Sequence, residues 1–361
     1  MALPQAISRR SFLSLAAVSA GGMLLAACGG AGPAPSATAP SVSASTPKPA
    51  ASAAAAAKPS VGAQGGEPSI KVAFPVITGA QTPLWLAESL DLFEQQHVKE
   101  SSQLIATSVA VQAIVAKDVD VILQAAAAVI TADLNGGADL VYVGSEYNHS
   151  QEALVVAPAI KTAADLKGKV WGTDRPGSTG DYQTRLLLRL IGLQPSEVEL
   201  RVLGTQDVLV AALTSGQIQA APVAVPGVFQ LEAAGFHVLR DTWDQPYQNV
   251  GAVVSRARIP ELTPALIPFL KAYRQGMQAY AQQPDAAKNI LKEKAKITDQ
   301  SSLDKSYEFY VKQTQFQTDL QPTTEGIQHM LDFLSASIPA AKTAKPEQFV
   351  DLRLLDELGK A

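Results

Sequence analysis

Lys169-Val170-Trp171-Gly172-Thr173-Asp174-Arg175-Pro176-Gly177-Ser178-Thr179-Gly180-Asp181 begins as a short β-rich run, turns at glycine and serine, and enters a leucine-rich stretch reaching Ile191. Strand, glycine-containing turn and helix in that order, followed by another β-rich run from Val198 to Leu203, make an α/β unit whose strands lie parallel. The same alternation extends in both directions. Upstream, Ile70-Lys71-Val72-Ala73-Phe74 reads as a first strand, and Thr82-Pro83 opens a helix through Phe93, proline being tolerated at the first helical position because its missing N–H has no partner there anyway. Val119 to Leu123 and Leu140 to Val143 are further strands, separated by an alanine-rich helix that Gly136-Gly137 ends, and Glu152 to Ala157 is an extended run stopped by Pro158. Downstream come a helix to Ser215, strands at Ile218 to Val225 and His237 to Leu239, a last strand from Val250 to Ser255, and then a mostly helical tail.

Two such sets predict an α/β chain of two lobes joined by two crossing strands. Residues 69–157 and 250–361 form the first lobe and 158–249 the second, the chain leaving near Ala157 and returning near Asn249. The space between lobes then borders the carboxyl ends of the strands, where open α/β sheets bind ligands.

The chain has 361 residues, 47% hydrophobic and 17% charged, enough for about two cores. A formal charge of −4 supplies no basic field for phosphate backbones, which argues against nucleic-acid binding. Arg9 and Arg10 are the only charges before Cys28, and Phe12 to Ala27 is apolar or small, the order of a secretion signal over residues 1–27. Cys28 is the single cysteine, so no internal disulfide can form. Leu25-Ala26-Ala27-Cys28-Gly29 resembles a bacterial lipobox, which implies a lipid-anchored Cys28 as the mature N-terminus; the competing reading is a buried core cysteine. Ser8-Arg9-Arg10-Ser11-Phe12-Leu13 resembles the twin-arginine export signal, with general secretion as the alternative. Residues 28–68 follow as a tether of Ala, Pro, Ser, Gly and Thr, too poor in large side chains to repay the entropy of ordering a core.

A family resemblance rests on several segments in order. They are Gly137-Ala138-Asp139-Leu140-Val141-Tyr142-Val143-Gly144, Ile160 to Lys169 with its Asp165-Leu166-Lys167-Gly168-Lys169, the turn Gly177-Ser178-Thr179-Gly180, Leu213-Thr214-Ser215-Gly216-Gln217-Ile218, and Glu232-Ala233-Ala234-Gly235-Phe236-His237-Val238-Leu239. Together they resemble the ABC-importer binding proteins of the aliphatic sulfonate, taurine, nitrate and pyrimidine-precursor type. The resemblance implies a type II periplasmic-binding-protein fold, a monomer outside the cytoplasm that closes on a small molecule and presents it to a membrane permease, with no cofactor. Two departures matter. Leu123-Gln124-Ala125-Ala126-Ala127-Ala128 stands where sulfonate binders carry hydroxyls and an acid, and Ala224-Val225-Pro226 where many relatives offer an aromatic and an acid. Both remove polar groups and favour a larger, partly apolar organic ligand, one that can still carry an acidic group.

Candidate ligand residues lie at strand ends. Ser178, Thr179 and Gly180 start a helix whose first N–H groups are unpaired and whose dipole favours an anion. Against that, Ser178 and Asp181 have capping-box spacing, and Asp181 can pair with Arg185 one turn on. Gln81 and Thr82 follow the first strand, Gln124 the third, and Tyr147 and Asn148 the fourth; each suits a ligand with a ring and a few polar groups, or a turn. Trp243, Tyr247 and Asn249 approach the second crossing, where aromatics either stack on ligand or pack the hinge, while Trp85 inside the first helix reads as core.

His97, His149, His237 and His329 show no metal-ligand spacing, and neither a zinc-protease nor a nucleophile-elbow motif occurs. Relatives that make a thiamine pyrimidine precursor need a cysteine-rich motif that this chain lacks. Binding is therefore expected rather than catalysis, for import or, with the same fold and cleft, for a membrane-bound sensor.

Overall fold

The computed structural model describes residues 66–313, 316 and 318–359. The secretion signal, Cys28 and the tether as far as residue 65 lie outside them. Ten strands occur among the described residues: β1 (Ser69–Phe74), β2 (Lys99–Leu104), β3 (Val121–Gln124), β4 (Leu140–Ser145), β5 (Glu152–Val156), β6 (Val170–Thr173), β7 (Glu199–Val202), β8 (Ala220–Ala224), β9 (His237–Asp241) and β10 (Gly251–Ser255). They form two sheets, ordered β2-β1-β3-β10-β4 and β7-β6-β8-β5-β9. In the first, β1 runs parallel to β2 and β3, while β10 lies antiparallel between β3 and β4. The second repeats the plan: β6 is parallel to β7 and β8, and β5 is antiparallel between β8 and β9. This is the two-lobed α/β fold of the type II periplasmic binding proteins.

One boundary moves. β5 pairs inside the second sheet, so the chain leaves the first lobe between Ser145 and Glu152, six to eleven residues before the expected point near Ala157. The sequence misleads here because Glu152 to Val156 is buried on both faces, and such a strand looks the same whichever sheet owns it. The outgoing crossing pairs antiparallel with the returning one: the Glu146 N–H donates to Val250 O (3.0 Å), Asn249 N–H to Tyr147 O (3.0 Å), and Tyr247 N–H to Asn148 O (3.0 Å).

Three elements escaped the reading of the sequence, one of them the helix Gly227–Ala233 between β8 and β9. β2 is an edge strand with a largely exposed, polar sequence, Lys-Glu-Ser-Ser-Gln-Leu, which lacks the apolar alternation that marks a half-buried strand. The helix Thr107–Val115 follows it without a side-chain cap. The first-lobe helix also breaks sooner than expected: Thr82–Ser89 ends, Asp91 takes a left-handed conformation (φ 54°), and a short turn Leu92–Gln95 follows. Its partner is the 24-residue helix Ile259–Gln282. A Cβ on Gly276 would lie 2.3 Å from the Pro83 carbonyl oxygen, so glycine is what lets the two backbones come this close.

Candidate functional site

Between the two sheets lies a cavity of about 330 Å³. The first lobe contributes Pro75, Val76 and Thr78 beyond β1, Gln124 and Ala125 at the end of β3, and Thr131 on the helix Ala126–Gly136. The second lobe contributes Asp174 to Gly180 beyond β6, Thr205 and Gln206 beyond β7, and Ala224 at the end of β8; Gln151, Glu152, Asn249 and Val250 come from the crossings. The parallel strands of both sheets thus point their carboxyl ends into one cleft, the position that open α/β sheets use for ligands.

Five residues singled out from the sequence meet here: Gln124, Ser178, Thr179, Gly180 and Asn249. The Asn249 amide also donates to His149 O (3.0 Å), tying the cleft to the outgoing crossing. At the helix Thr179–Leu190 the capping arrangement is present. Ser178 Oγ accepts from Asp181 N–H (3.3 Å), Asp181 Oδ2 accepts from Gly177 N–H (3.0 Å), and Asp181 Oδ1 pairs with Arg185 Nε at 2.9 Å. An acid therefore already occupies part of this helix start, with its charge balanced by Arg185 one turn on.

The other five do not line the cleft. Gln81 is fully buried, its Oε1 accepting from the Thr78 N–H (3.2 Å) and hydroxyl (2.9 Å) to close a short turn. Thr82 is buried at the start of its helix. Tyr147 packs its ring on Tyr310 and Phe316 at 5.6 and 5.3 Å. Asn148 accepts from Ser145 Oγ (3.3 Å) and donates to Gln321 O (3.4 Å). Tyr247 stacks on Tyr182 at 5.1 Å, and its hydroxyl accepts from the Ala127 N–H (3.4 Å); it is a hinge-packing aromatic. Trp243 packs edge-on against Phe309, and Trp85 meets Phe74 edge-on in the core, 4% exposed.

Sequence reasoning missed Gln151, Glu152, Thr131, Asp174 and Arg175, all of which line the cleft. Glu152 is buried at the start of β5. Its Oε2 accepts from Ser150 Oγ (3.0 Å) and Gln151 N–H (3.1 Å), and behind it Ser150 Oγ lies 2.5 Å from Thr242 Oγ1 and accepts from Gln183 Nε2 at 2.9 Å. Burial pushes the Glu152 carboxyl above its ordinary range, and the Ser150 and Gln151 donors hold it back in part. Arg175 is the cationic lining residue and is itself engaged within the protein. Gln124 Oε1, Gln151 Nε2 and Thr131 Oγ1 are buried with no protein partner. Buried unpaired side-chain atoms occur elsewhere in the molecule too, but these three border the cavity, where a ligand or water can pair them. No group of three or more His, Cys, Asp or Glu able to hold a metal ion occurs among the described residues, and none of their helices is long and apolar enough to cross a membrane.

Comparison with known proteins finds the same architecture. Residues 80–287 match a family model described as NMT1/THI5 like. The alkanesulfonate-binding protein of Xanthomonas axonopodis pv. citri, solved with MOPS bound, superposes with a TM-score of 0.66 at 19% identity over 80% of this chain and 99% of its own. The periplasmic aliphatic sulphonate binding protein of Escherichia coli gives 0.63 at 21% identity, over 78% and 98%. The ligand-binding component of an ABC-type import system from Staphylococcus aureus, solved with zinc bound, gives 0.65 at 15% identity, over 81% and 100%. No curated protein sequence matches the chain significantly. At these identities the solved structures share the fold with this chain.

Proposed function

The chain belongs to the NMT1/THI5-like family, and on that premise we propose that it is an extracytoplasmic solute-binding protein, which closes its two lobes on a small organic molecule and delivers it to an ABC-type importer. The observation that carries this reading is the cleft itself: lined from both lobes and both crossings, with Gln124 Oε1 and Gln151 Nε2 buried there and unpaired. A ligand that satisfies groups from both sides binds the closed form better than the open one, and that difference is what can drive closure.

The rest of the reading follows from the sequence. Export through the Arg9-Arg10 signal, lipidation of Cys28 and a Pro/Ser/Ala tether would place a monomeric binding domain beside its permease on the outer face of the membrane. The apolar share of the lining, Val76, Ala125, Ala224 and Val250 among others, suits a ligand with an organic body rather than a small inorganic anion. The role is capture and release without turnover.

Native mass spectrometry of the full chain, purified without denaturation, tests the proposal. One small molecule per chain, lost on unfolding and accompanied by compaction in solution scattering when added back, is the expected result. A chain that carries and takes up nothing from an extract of its own cells contradicts it.

A further inference from the structure

A third link between the lobes runs outside the two crossings. The helix Gln300–Glu308 and the π turn Phe309–Gln313 that continues it belong, by packing, to the first lobe. Tyr307 meets Tyr280 of the long helix Ile259–Gln282 edge-on at 5.8 Å, and Lys288 Nζ lies 2.6 Å from Asp304 Oδ1. Tyr310 fits against Tyr147, Tyr280 and the turn at Gly79, where a Cβ would lie 2.1 Å from its ring. The same segment also grips the second lobe. Ser302 Oγ donates to Phe229 O (3.1 Å) on the helix Gly227–Ala233, and Lys305 Nζ lies 3.8 Å from Glu232 Oε2. Phe309 meets Phe229 and Trp243 edge-on at 6.3 and 4.9 Å, and the Tyr310 hydroxyl donates to Val225 O. Gly227–Ala233 in turn packs on β5, β8 and β9. Phe309 and Tyr310 are fully buried, in a hydrophobic cluster that runs from Val72 and Leu123 of the first sheet to Val223 of the second and Val225 just beyond it.

The place of Tyr310 is what gives this link a consequence. Thr78, next to Gly79, and Ala224, next to Val225, both line the cleft, and Ala224 pairs with Glu152 where the outgoing crossing enters β5. The Tyr310 bond therefore spans the lobes directly behind the cleft and close to the hinge. Its ring is wedged in the first lobe while its acceptor rides on the second, so a rotation that draws the end of β8 away from β1 has to stretch it. Hydrogen bonds weaken steeply with misalignment, and breaking a buried one leaves polar groups unpaired, so the contact favours the closed arrangement with or without a solute.

Resting on the lobe closure proposed above, we propose that Gln300–Gln313 is a strap across the hinge: it stays with the first lobe, holds the second through Phe309 and Tyr310, and sets the closed-to-open ratio of the ligand-free chain. A solute that binds only the closed form is held more weakly in proportion as the closed fraction falls, so the strap tunes affinity without touching the solute.

Dyes on Gln103→Cys and Val202→Cys, exposed on β2 and β7 at the sheet edges away from the crossings, report lobe separation by single-molecule energy transfer in the full chain carrying Cys28→Ala. The ligand-free parent is expected to sample a closed population, and Tyr310→Phe, which removes only the hydroxyl, to lower its closed-to-open ratio at least about threefold. Tyr280→Phe, whose hydroxyl makes no bond between the lobes, should leave the ratio unchanged. Ser302→Ala should shift it the same way as Tyr310→Phe but by less, and it decides the matter where Tyr310→Phe folds poorly. An open-only parent, an unchanged ratio in folded Tyr310→Phe, or an equal shift in Tyr280→Phe overturns the strap. Repeating the measurement with a small-molecule extract of the cells that make the chain separates this inference from the reading beneath it. If the extract moves the parent's population while Tyr310→Phe matches the parent, closure stands and the strap falls. One fixed separation in every variant, with and without extract, contradicts lobe closure itself.

Discussion

Ser150 Oγ and Thr242 Oγ1 lie 2.5 Å apart, one on each of the two segments that cross between the lobes. This contact, with Gln183 and Glu152 bonded to it, locks the crossings together where they meet the second sheet.

Removing the serine hydroxyl tests that lock. Ser150→Ala leaves Gln183 Nε2 without its acceptor and takes one donor from the Glu152 carboxyl. Unfolding in denaturant should show a loss of about 1–3 kcal/mol, the usual cost of orphaning buried polar groups. A loss within experimental error would mean that the network carries no stability.

The close approach of Gly276 to Pro83 makes a steric prediction. In Gly276→Val the side chain would collide with the Pro83 carbonyl oxygen and the Ala87 Cβ, at 2.3 and 3.0 Å from the first added carbon, forcing Ile259–Gln282 away from Thr82–Ser89. A destabilisation of about 1–3 kcal/mol or more is expected from thermal and chemical unfolding. An unchanged midpoint would show that these helices have slack.

Much of the architecture could be read from the sequence, because most strands are apolar runs punctuated by glycine or proline. β2 could not, since its polar residues suit an exposed edge strand and equally a loop. The crossing was misplaced by six to eleven residues because β5 is buried on both faces. At the site, Ser178 to Gly180 and Gln124 were found because turn and helix-start chemistry announces itself locally. Glu152 was missed for the opposite reason: an acid at the head of an apolar strand looks solvent-exposed until two distant segments, at Gln183 and Thr242, are folded against it. Tyr147 and Tyr247 were sought at the ligand and found in the packing, since an aromatic at a strand end has no local mark that separates the two.

Glu100 predicts a pH dependence of stability. Burial, and secondarily the nearby charge of Glu88, push its carboxyl from 4.5 up to about 8. Between those values the folded chain holds a proton that the unfolded chain has lost, so this group makes stability fall as pH rises from about 4.5 to about 8 and adds no further change above it. Glu100→Gln should flatten that decline in melting temperature across the window; an identical slope in the variant would assign it to other groups.

The proposed lipid anchor gives a prediction at the other end of the chain. Cys28→Ala should abolish acyl labelling and release the protein from membranes with its melting temperature unchanged. Retention of the variant in washed membranes would contradict lipid anchoring at this residue.

The central claim is that one small molecule binds in the cleft by using groups from both lobes. Calorimetric titration of the molecule released from the purified chain back into stripped protein measures this directly, beside Gln124→Ala from the first lobe and Gln151→Ala from the crossing. The account predicts one site per chain and at least a tenfold loss of affinity in each variant, about 1.4 kcal/mol, with the ligand-free melting temperature retained. Undiminished affinity in both folded variants would place the ligand elsewhere and contradict the account.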